Sequence, residues 1–263
     1  MSYSVLNRYP TIPVVANVPH SSAFIPEDVR EQFVISEQEL HEEQRRLVDW
    51  FTDDLYAGII RCGGCVVRHD VSRFVLDPER FEDDAEECMA KQGMGVIYTH
   101  GYSGKRIRRE LSLDQREDLL NRYYRPYHAE LIARTEEVLE RFGRCIVIDC
   151  HSYPAAPLPY ELDGTSERAD VVLGTDKIHT PQSVTALVER LSLEAGYSFG
   201  IDRPFAGTYL PLPLYRDPRL FGFMFEINRA TYMNEVTTEC IPAFDKMEAF
   251  LERTVRAVSQ LAL

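Results

Sequence analysis

A chain of 263 residues that is 44% hydrophobic and 27% charged can bury a sizeable core and is excluded from the disordered class. Its net charge of −13 and sequence pI near 5.0 repel phosphate backbones, which excludes nucleic acid as a general partner and requires local arginines at any site for an anion. No window approaches the roughly 18 apolar residues of a membrane helix, and the first residues lack the basic-then-apolar order of a secretion signal, so a cytoplasmic protein with no membrane partner and six reduced cysteines is expected.

Short apolar, β-branched runs alternate with longer amphipathic stretches. The first strand is expected over 12–18. A helix is expected over 36–60, opened by Ser36 with Glu39 three residues on, the signature of a capping box. Cys62-Gly63-Gly64-Cys65 lacks the second ligand pair of a structural zinc site and reads as a turn into a strand over 65–67. A helix over 113–142 follows Ser112 with Gln115, and apolar residues recur at helical spacing from Leu119 to Phe142. Strands over 145–149 and 171–174 come next. A helix over 180–196 is opened by Thr180 with Ser183, a strand is expected over 221–227, and a last helix over 241–261 has Pro242 near its first turn.

Continuous apolar runs suit strands buried on both faces. Their alternation with helices predicts a single α/β domain over 1–263, three layers (α/β/α) around a mostly parallel, mixed sheet. Ligands then bind at the carboxyl ends of the strands.

Two of those ends carry a histidine: His20 after the run 14–18, and His151 after the run 145–149. Neutral imidazoles there can hold a metal, and a catalytic zinc adds a third protein ligand and one open position. Carboxylate candidates are Glu42, Glu43, Asp49, Asp53 and Asp54. Asp49 lies in the apolar stretch Leu47-Val48-Asp49-Trp50-Phe51 and calls for a cation partner, whereas Asp53 and Asp54 read as helix surface. Glu226, inside Phe223-Met224-Phe225-Glu226-Ile227, is the candidate general base, with a buried ion pair to an arginine as its alternative reading. Strand alternation puts Glu226 and Asn228 on one face and Arg229 on the other. Arg73 and Arg80 either clamp a substrate carboxylate or oxyanion, or pair with Asp77 and Glu79. Arg106, Arg108 and Arg109 read mostly as solvated surface.

A nucleophile elbow and a phosphate-binding loop ending in Lys-Ser or Lys-Thr are both missing. Cys150 and His151 are adjacent in a strand and face opposite sides, which argues against a thiol–imidazole pair.

Taken together these residues resemble the N-formylglutamate amidohydrolase family. The similarity runs through Pro19-His20-Ser21-Ser22 with Pro26, Asp49-Trp50 with Leu55-Tyr56, and Ser72-Arg73 with Asp77 and Arg80. It continues through Arg122-Tyr123-Tyr124-Arg125-Pro126-Tyr127-His128 and Ile148-Asp149-Cys150-His151-Ser152 with Leu173-Gly174-Thr175. It closes on Phe225-Glu226-Ile227-Asn228-Arg229 and Tyr232-Met233-Asn234-Glu235. The resemblance implies a fold similar to the zinc carboxypeptidases and a zinc or other divalent metal on His20, Asp49 and His151. It implies Glu226 and Arg73 in catalysis, and Arg80, Asn228, Ser152 and Arg229 around the substrate. The implied reaction hydrolyses the N-acyl amide of a small acidic amino acid, as in N-formyl-L-glutamate to L-glutamate and formate, a step of histidine degradation. The alternative is a relative that acts on another N-acylamino acid or binds a small acidic ligand without turnover. Two segments depart from the family pattern. Asp77-Pro78-Glu79-Arg80 stands where Asp-x-Asn-Arg is usual, and Asp202-Arg203-Pro204-Phe205-Ala206-Gly207-Thr208 where Asn-x-Pro-Phe-x-Gly-Gly is usual.

Overall fold

The apolar runs become neighbours in one seven-stranded sheet in the computed structural model, which describes residues 2–161 and 167–263. In chain order the elements are β1 (Tyr3–Leu6), β2 (Val14–Val18), α1 (Glu27–Arg30), α2 (Glu37–Leu47), α3 (Thr52–Leu55), α4 (Gly58–Cys62) and β3 (Cys65–His69). There follow α5 (Leu113–Leu119), α6 (Arg125–Phe142), β4 (Cys145–Tyr153), β5 (Val171–Thr175), α7 (Gln182–Ala195), β6 (Phe199–Ile201), β7 (Leu220–Asn228) and α8 (Phe244–Ser259). A small hairpin, β8 (Met233–Asn234) with β9 (Glu239–Cys240), precedes α8.

The strand order is β1-β3-β2-β4-β7-β5-β6. Strands β3, β2, β4 and β7 run parallel, β5 is antiparallel to β7, and β1 is antiparallel to β3. The sheet is therefore mixed, as expected. From β2 the chain goes to β3 on one side, and β4 then enters on the other side of β2. The carboxyl ends of β2 and β4 thus flank a switch point, the crevice where such sheets bind ligands.

Alternation along the central strands splits the core into two layers. Val15, Val67 and Val147 pack under Tyr127, Leu131 and Val138, all three of which lie on α6. Val14, Ala16, Ile148 and Phe225 face the opposite way, onto Val184 and Val188 of α7 and Met247 and Phe250 of α8. A further apolar cluster, including Leu40, Leu47, Phe74, Val75 and Tyr98, supports the long connection between β3 and α5.

Several elements depart from expectation for local reasons. The helix expected over 36–60 is broken: its capping box forms at Ser36 and Glu39, but Val48 turns extended and the chain restarts through Phe51 at φ 64°. The helix expected over 113–142 also starts on its capping box, at Ser112 and Gln115. It then widens over Leu120–Tyr124, where the Arg125 N–H reaches back to the Leu120 carbonyl; next to it, Pro126 has no N–H to continue the regular ladder. Thr180 does not cap α7, whose N-cap is Pro181; its hydroxyl instead accepts the Asp176 N–H and donates to the Gly222 carbonyl. Arg108 is not surface. It is fully buried over the Phe33 ring, and burial lowers its pKa to about 9.

Gly174 in β5 is where another backbone crosses the sheet. A Cβ there would lie 2.1 Å from the Gly207 carbonyl oxygen and 2.6 Å from the Met224 methyl. The crossing segment is tied down by Asp202, whose carboxylate accepts from the Thr175 N–H and hydroxyl and from the Gly207 N–H. In Gly174→Ala the Met224 side chain can swing aside but the Gly207 carbonyl is backbone and cannot, so the variant is expected to destabilise the protein by about 1–3 kcal/mol, the usual cost of overpacking, read as a fall in the urea midpoint.

Candidate active site

His20 lies two residues past the end of β2. His151 lies within β4, not past its end, because β4 and β7 stay paired through Tyr153 and Asn228, well beyond the reach of β2. Asp49 stands in the break after α2, and its N–H donates to the His20 carbonyl at 3.0 Å, which holds the two residues side by side. The break that sequence periodicity did not reveal is thus what turns Asp49 into the site.

The two imidazoles are held in the same way. His20 Nε2 is 2.8 Å from Asp77 Oδ1, and His151 Nε2 is 3.0 Å from Asp149 Oδ1 and 2.9 Å from Glu79 Oε2. Each Nε2 therefore carries the proton it donates, and each Nδ1 presents a lone pair. Those lone pairs meet: the Nδ1 atoms are 3.3 Å apart, and Asp49 Oδ2 lies 3.1 Å from one and 3.9 Å from the other. Three acceptors converge in a buried spot, and one positive charge must join them: a metal cation, or a proton on His151 Nδ1. Burial, with Arg73 nearby, lowers the His20 pKa to about 4, so this ring is neutral. Burial opposes charge on His151, but Glu79 and Asp149 outweigh it and hold that pKa well above the ordinary value.

The supporting shell is dense. Asp77, fully buried, gives its other oxygen to Arg73 at 2.7 Å and to the Tyr98 hydroxyl at 2.6 Å. Burial opposes its charge, yet Arg73 and His20 keep its pKa well below the carboxylate range. Asp149 also accepts from Asn17 Nδ2 at 2.9 Å and from the Tyr209 N–H at 2.8 Å. Glu79 accepts from the same Asn17 amide at 2.6 Å; burial, then the charge of Asp149, pushes its carboxyl up to about 8. Asp149, Asn17 and Tyr209 were not among the sequence candidates, and Glu79 entered only as an alternative partner for Arg73 or Arg80, whereas it pairs with His151. Asp149 was findable, since it shares a strand face with His151 two residues on, but nothing local marks Asn17.

Glu226 is the registered neighbour of His151 across β4 and β7, so both side chains leave the sheet on the same face. Its Oε2 is buried without a hydrogen-bond partner and lines the cavity, and burial pushes the carboxyl up to about 8. The alternative of a tight ion pair to an arginine is not what the side chain makes. Arg229 does not take the opposite face: the strand ends at Asn228, and a 3-10 turn over Arg229–Thr231 swings the guanidinium back into the site. There it donates to Asp49 Oδ1 at 3.0 Å, Ser152 Oγ at 3.2 Å and the Arg46 carbonyl at 2.7 Å. Asn228 spends its Oδ1 on the Ala230 N–H, capping that turn, and does not line the cavity. Arg73 pairs with Asp77 and lies 3.8 Å from Asp49 Oδ1. Arg80 lines the cavity with no hydrogen bond from its guanidinium; its nearest carboxylate oxygen is Asp77 Oδ2, 3.9 Å from Nε.

The other carboxylate candidates lie elsewhere. Glu42 pairs with Arg45 and Arg46, Glu43 accepts the Tyr102 N–H, Asp53 pairs with Arg68, and Asp54 is exposed. Cys150 points into the opposite core layer, its thiol pushed well up by burial, as strand alternation required.

The paired imidazoles, Glu226 and the arginines open into a cavity of about 880 Å³ at the strand carboxyl ends. This fold and site define an α/β enzyme of the hydrolase class. The family model for N-formylglutamate amidohydrolase matches residues 12–233, and the chain belongs to that family of amide hydrolases. It is 29% identical over 235 residues to the N-formylglutamate deformylase of Pseudomonas putida, covering 85% of this chain and 83% of that one. The N-formylglutamate deformylase of Pseudomonas aeruginosa is 25% identical over 233 residues, with the same coverage. The crystal structure of N-formylglutamate amidohydrolase from Ralstonia eutropha JMP134 superposes with a TM-score of 0.86 at 28% identity, over 98% of this chain and 97% of that one.

Asp77 is the joint between the His20 ring and the Arg73 guanidinium. Asp77→Ala strands a buried cation and is expected to cost about 3–5 kcal/mol of stability, measured by urea denaturation; a loss under 1 kcal/mol would show that water reaches Arg73.

Proposed function

We propose that the chain hydrolyses the N-acyl amide of a small amino acid, with N-formyl-L-glutamate as the reference substrate and a divalent metal, best zinc, held by His20, Asp49 and His151. One observation carries the metal: both imidazoles donate from Nε2 to carboxylates, so three acceptor atoms that lie within 4.8 Å of one another have only lone pairs to offer. Two histidines and one carboxylate form a donor set that suits zinc and leaves a coordination position open. The names of the two Pseudomonas relatives and of the Ralstonia enzyme support the formyl substrate.

When bound, such a cation polarises an amide carbonyl and makes a water acidic near neutral pH. The chain's own groups do the rest. Glu226, unpartnered and on the same sheet face as His151, accepts the water's proton and returns it to the leaving amine. Arg229 and Ser152 fix the Asp49 carboxylate and form the wall beside the reacting carbonyl. Arg73 holds Asp77, and through it the His20 ring, in place. Arg80 offers its free donors to the substrate carboxylate, for which a planar guanidinium is well matched.

Elemental analysis of the purified protein is expected to find about one zinc or similar ion per chain, and His151→Ala to lose it; protein that takes up no zinc sinks the metal reading. Glu226→Gln is expected to keep the metal while kcat falls about 10²–10⁴-fold, the usual size of a lost general base. Full activity in that variant would remove Glu226 from the chemistry.

A further inference from the structure

The cavity that holds Glu226 is lined by the carboxyl groups of Asp49, Glu79, Asp149, Glu161 and Glu226. A substrate with two carboxylates settles there only if each finds a cation, because an unpaired anion among like charges is costly. Among the described residues, four guanidiniums and no lysine line the cavity: Arg46, Arg73, Arg80 and Arg229. Two of them are already engaged. Arg73 donates to Asp77 and the Leu47 carbonyl, and Arg229 to Asp49, Ser152 and the Arg46 carbonyl. The other two keep their terminal nitrogens. Arg80 makes no hydrogen bond from its guanidinium, and Arg46 uses only its Nε, toward Glu42 Oε1 at 3.0 Å.

Arg46 is also a surplus charge. Glu42 already faces Arg45, which donates from Nε to Oε2 at 2.7 Å and from a terminal nitrogen to Oε1 at 2.6 Å. One carboxylate thus serves two guanidiniums. A positive charge on the cavity lining is left without an anion of its own, in a chain whose net charge is −13. The Arg46 guanidinium carbon lies 5.9 Å from the centre of the Tyr102 ring, a contact that restrains the group without using its donors.

Both free guanidiniums are tied back to one atom. Asp49 Oδ1 is 3.0 Å from Arg229 and 3.8 Å from Arg73. From there Arg229 reaches the Arg46 carbonyl at 2.7 Å. On the other side Arg73 reaches Asp77 Oδ2 at 2.7 Å, and Arg80 Nε lies 3.9 Å from that same oxygen. Arg46 and Arg80 therefore stand at the two ends of one run of contacts through Asp49, the carboxylate beside His20 and His151. They differ in depth: the Arg80 side chain is 23% exposed and that of Arg46 37%. In an N-acylglutamate the α-carboxylate is next to the amide-bearing carbon, and the side-chain carboxylate is two carbons further away. Resting on the amidohydrolase reading, we infer that Arg46 is the residue that selects an acidic side chain: its terminal nitrogens take the side-chain carboxylate of the substrate, while Arg80, the deeper of the two, takes the α-carboxylate.

The test is the ratio of kcat/KM for N-formyl-L-glutamate to that for N-formyl-L-glutamine, equal in shape and different in charge, measured on the zinc-loaded protein. The wild-type ratio is expected to exceed about tenfold. Arg46→Met is expected to lower it at least about tenfold, the worth of one charge-assisted pair, through a loss on the glutamate compound alone. Arg46→Glu, which sets like charges face to face, is expected to lower it further. Both substitutions keep the backbone carbonyl that Arg229 uses, and a ratio read within one preparation does not depend on how much of it is folded. A ratio unchanged in both variants, or a wild-type ratio near one, overturns the inference and leaves the amidohydrolase reading standing. Cleavage of neither compound by the wild-type protein overturns both.

Discussion

Two buried imidazoles, each tied at Nε2 to a carboxylate, can offer each other only lone pairs at Nδ1. With Asp49 Oδ2 beside them, His20 and His151 make a spot that no neutral arrangement of the chain satisfies. Much of the surrounding structure follows from that requirement. Asp77 needs Arg73 and Tyr98 to stay charged in a dry interior, Asp149 needs Asn17 and the Tyr209 N–H, and Asp49 needs Arg229. The site is an alternation of opposite charges in which Asp49, Asp77 and Asp149 are each held by at least two partners, the condition for burying such groups without a large desolvation cost.

The sheet delivers these groups by differences in strand length. Strand β2 stops at Val18, so His20 turns over the edge, while β4 and β7 run on and present His151 and Glu226 from within the ladder. The switch point between β2 and β4 leaves the crevice open, and the segment 202–209, pinned to β5 by Asp202, forms its other bank. This is also where the chain departs from the family pattern, at Asp77–Arg80 and at 202–208. Glu79, the acidic residue of the first departure, sits beside the His151 ring, so the departure puts a further carboxyl group on the floor itself.

The fold class was legible in the sequence, and so were the polar residues around which the candidate site is built. Five buried runs announced five of the sheet strands because strands covered on both faces are apolar throughout, and His20, Asp49, His151 and Glu226 stood out as polar groups in apolar company. Capping boxes at Ser36 and Ser112 marked two helix starts because they are bonds among residues three apart. What needed the tertiary structure was everything set by distant neighbours. Strands β1 and β6 are short and partly exposed, and exist because an adjacent strand offers them a ladder. Arg108 is buried because Phe33 and the carbonyls of Phe74 and Val75 enclose it. Arg229 joins the site because the strand ends one residue before it. Local sequence determines which residues are chemically costly to bury. Only the packing of segments many residues apart decides which partners meet that cost, because a hydrogen bond such as His20 to Asp77 or Asn17 to Asp149 depends on distance in space and leaves no periodicity in the chain.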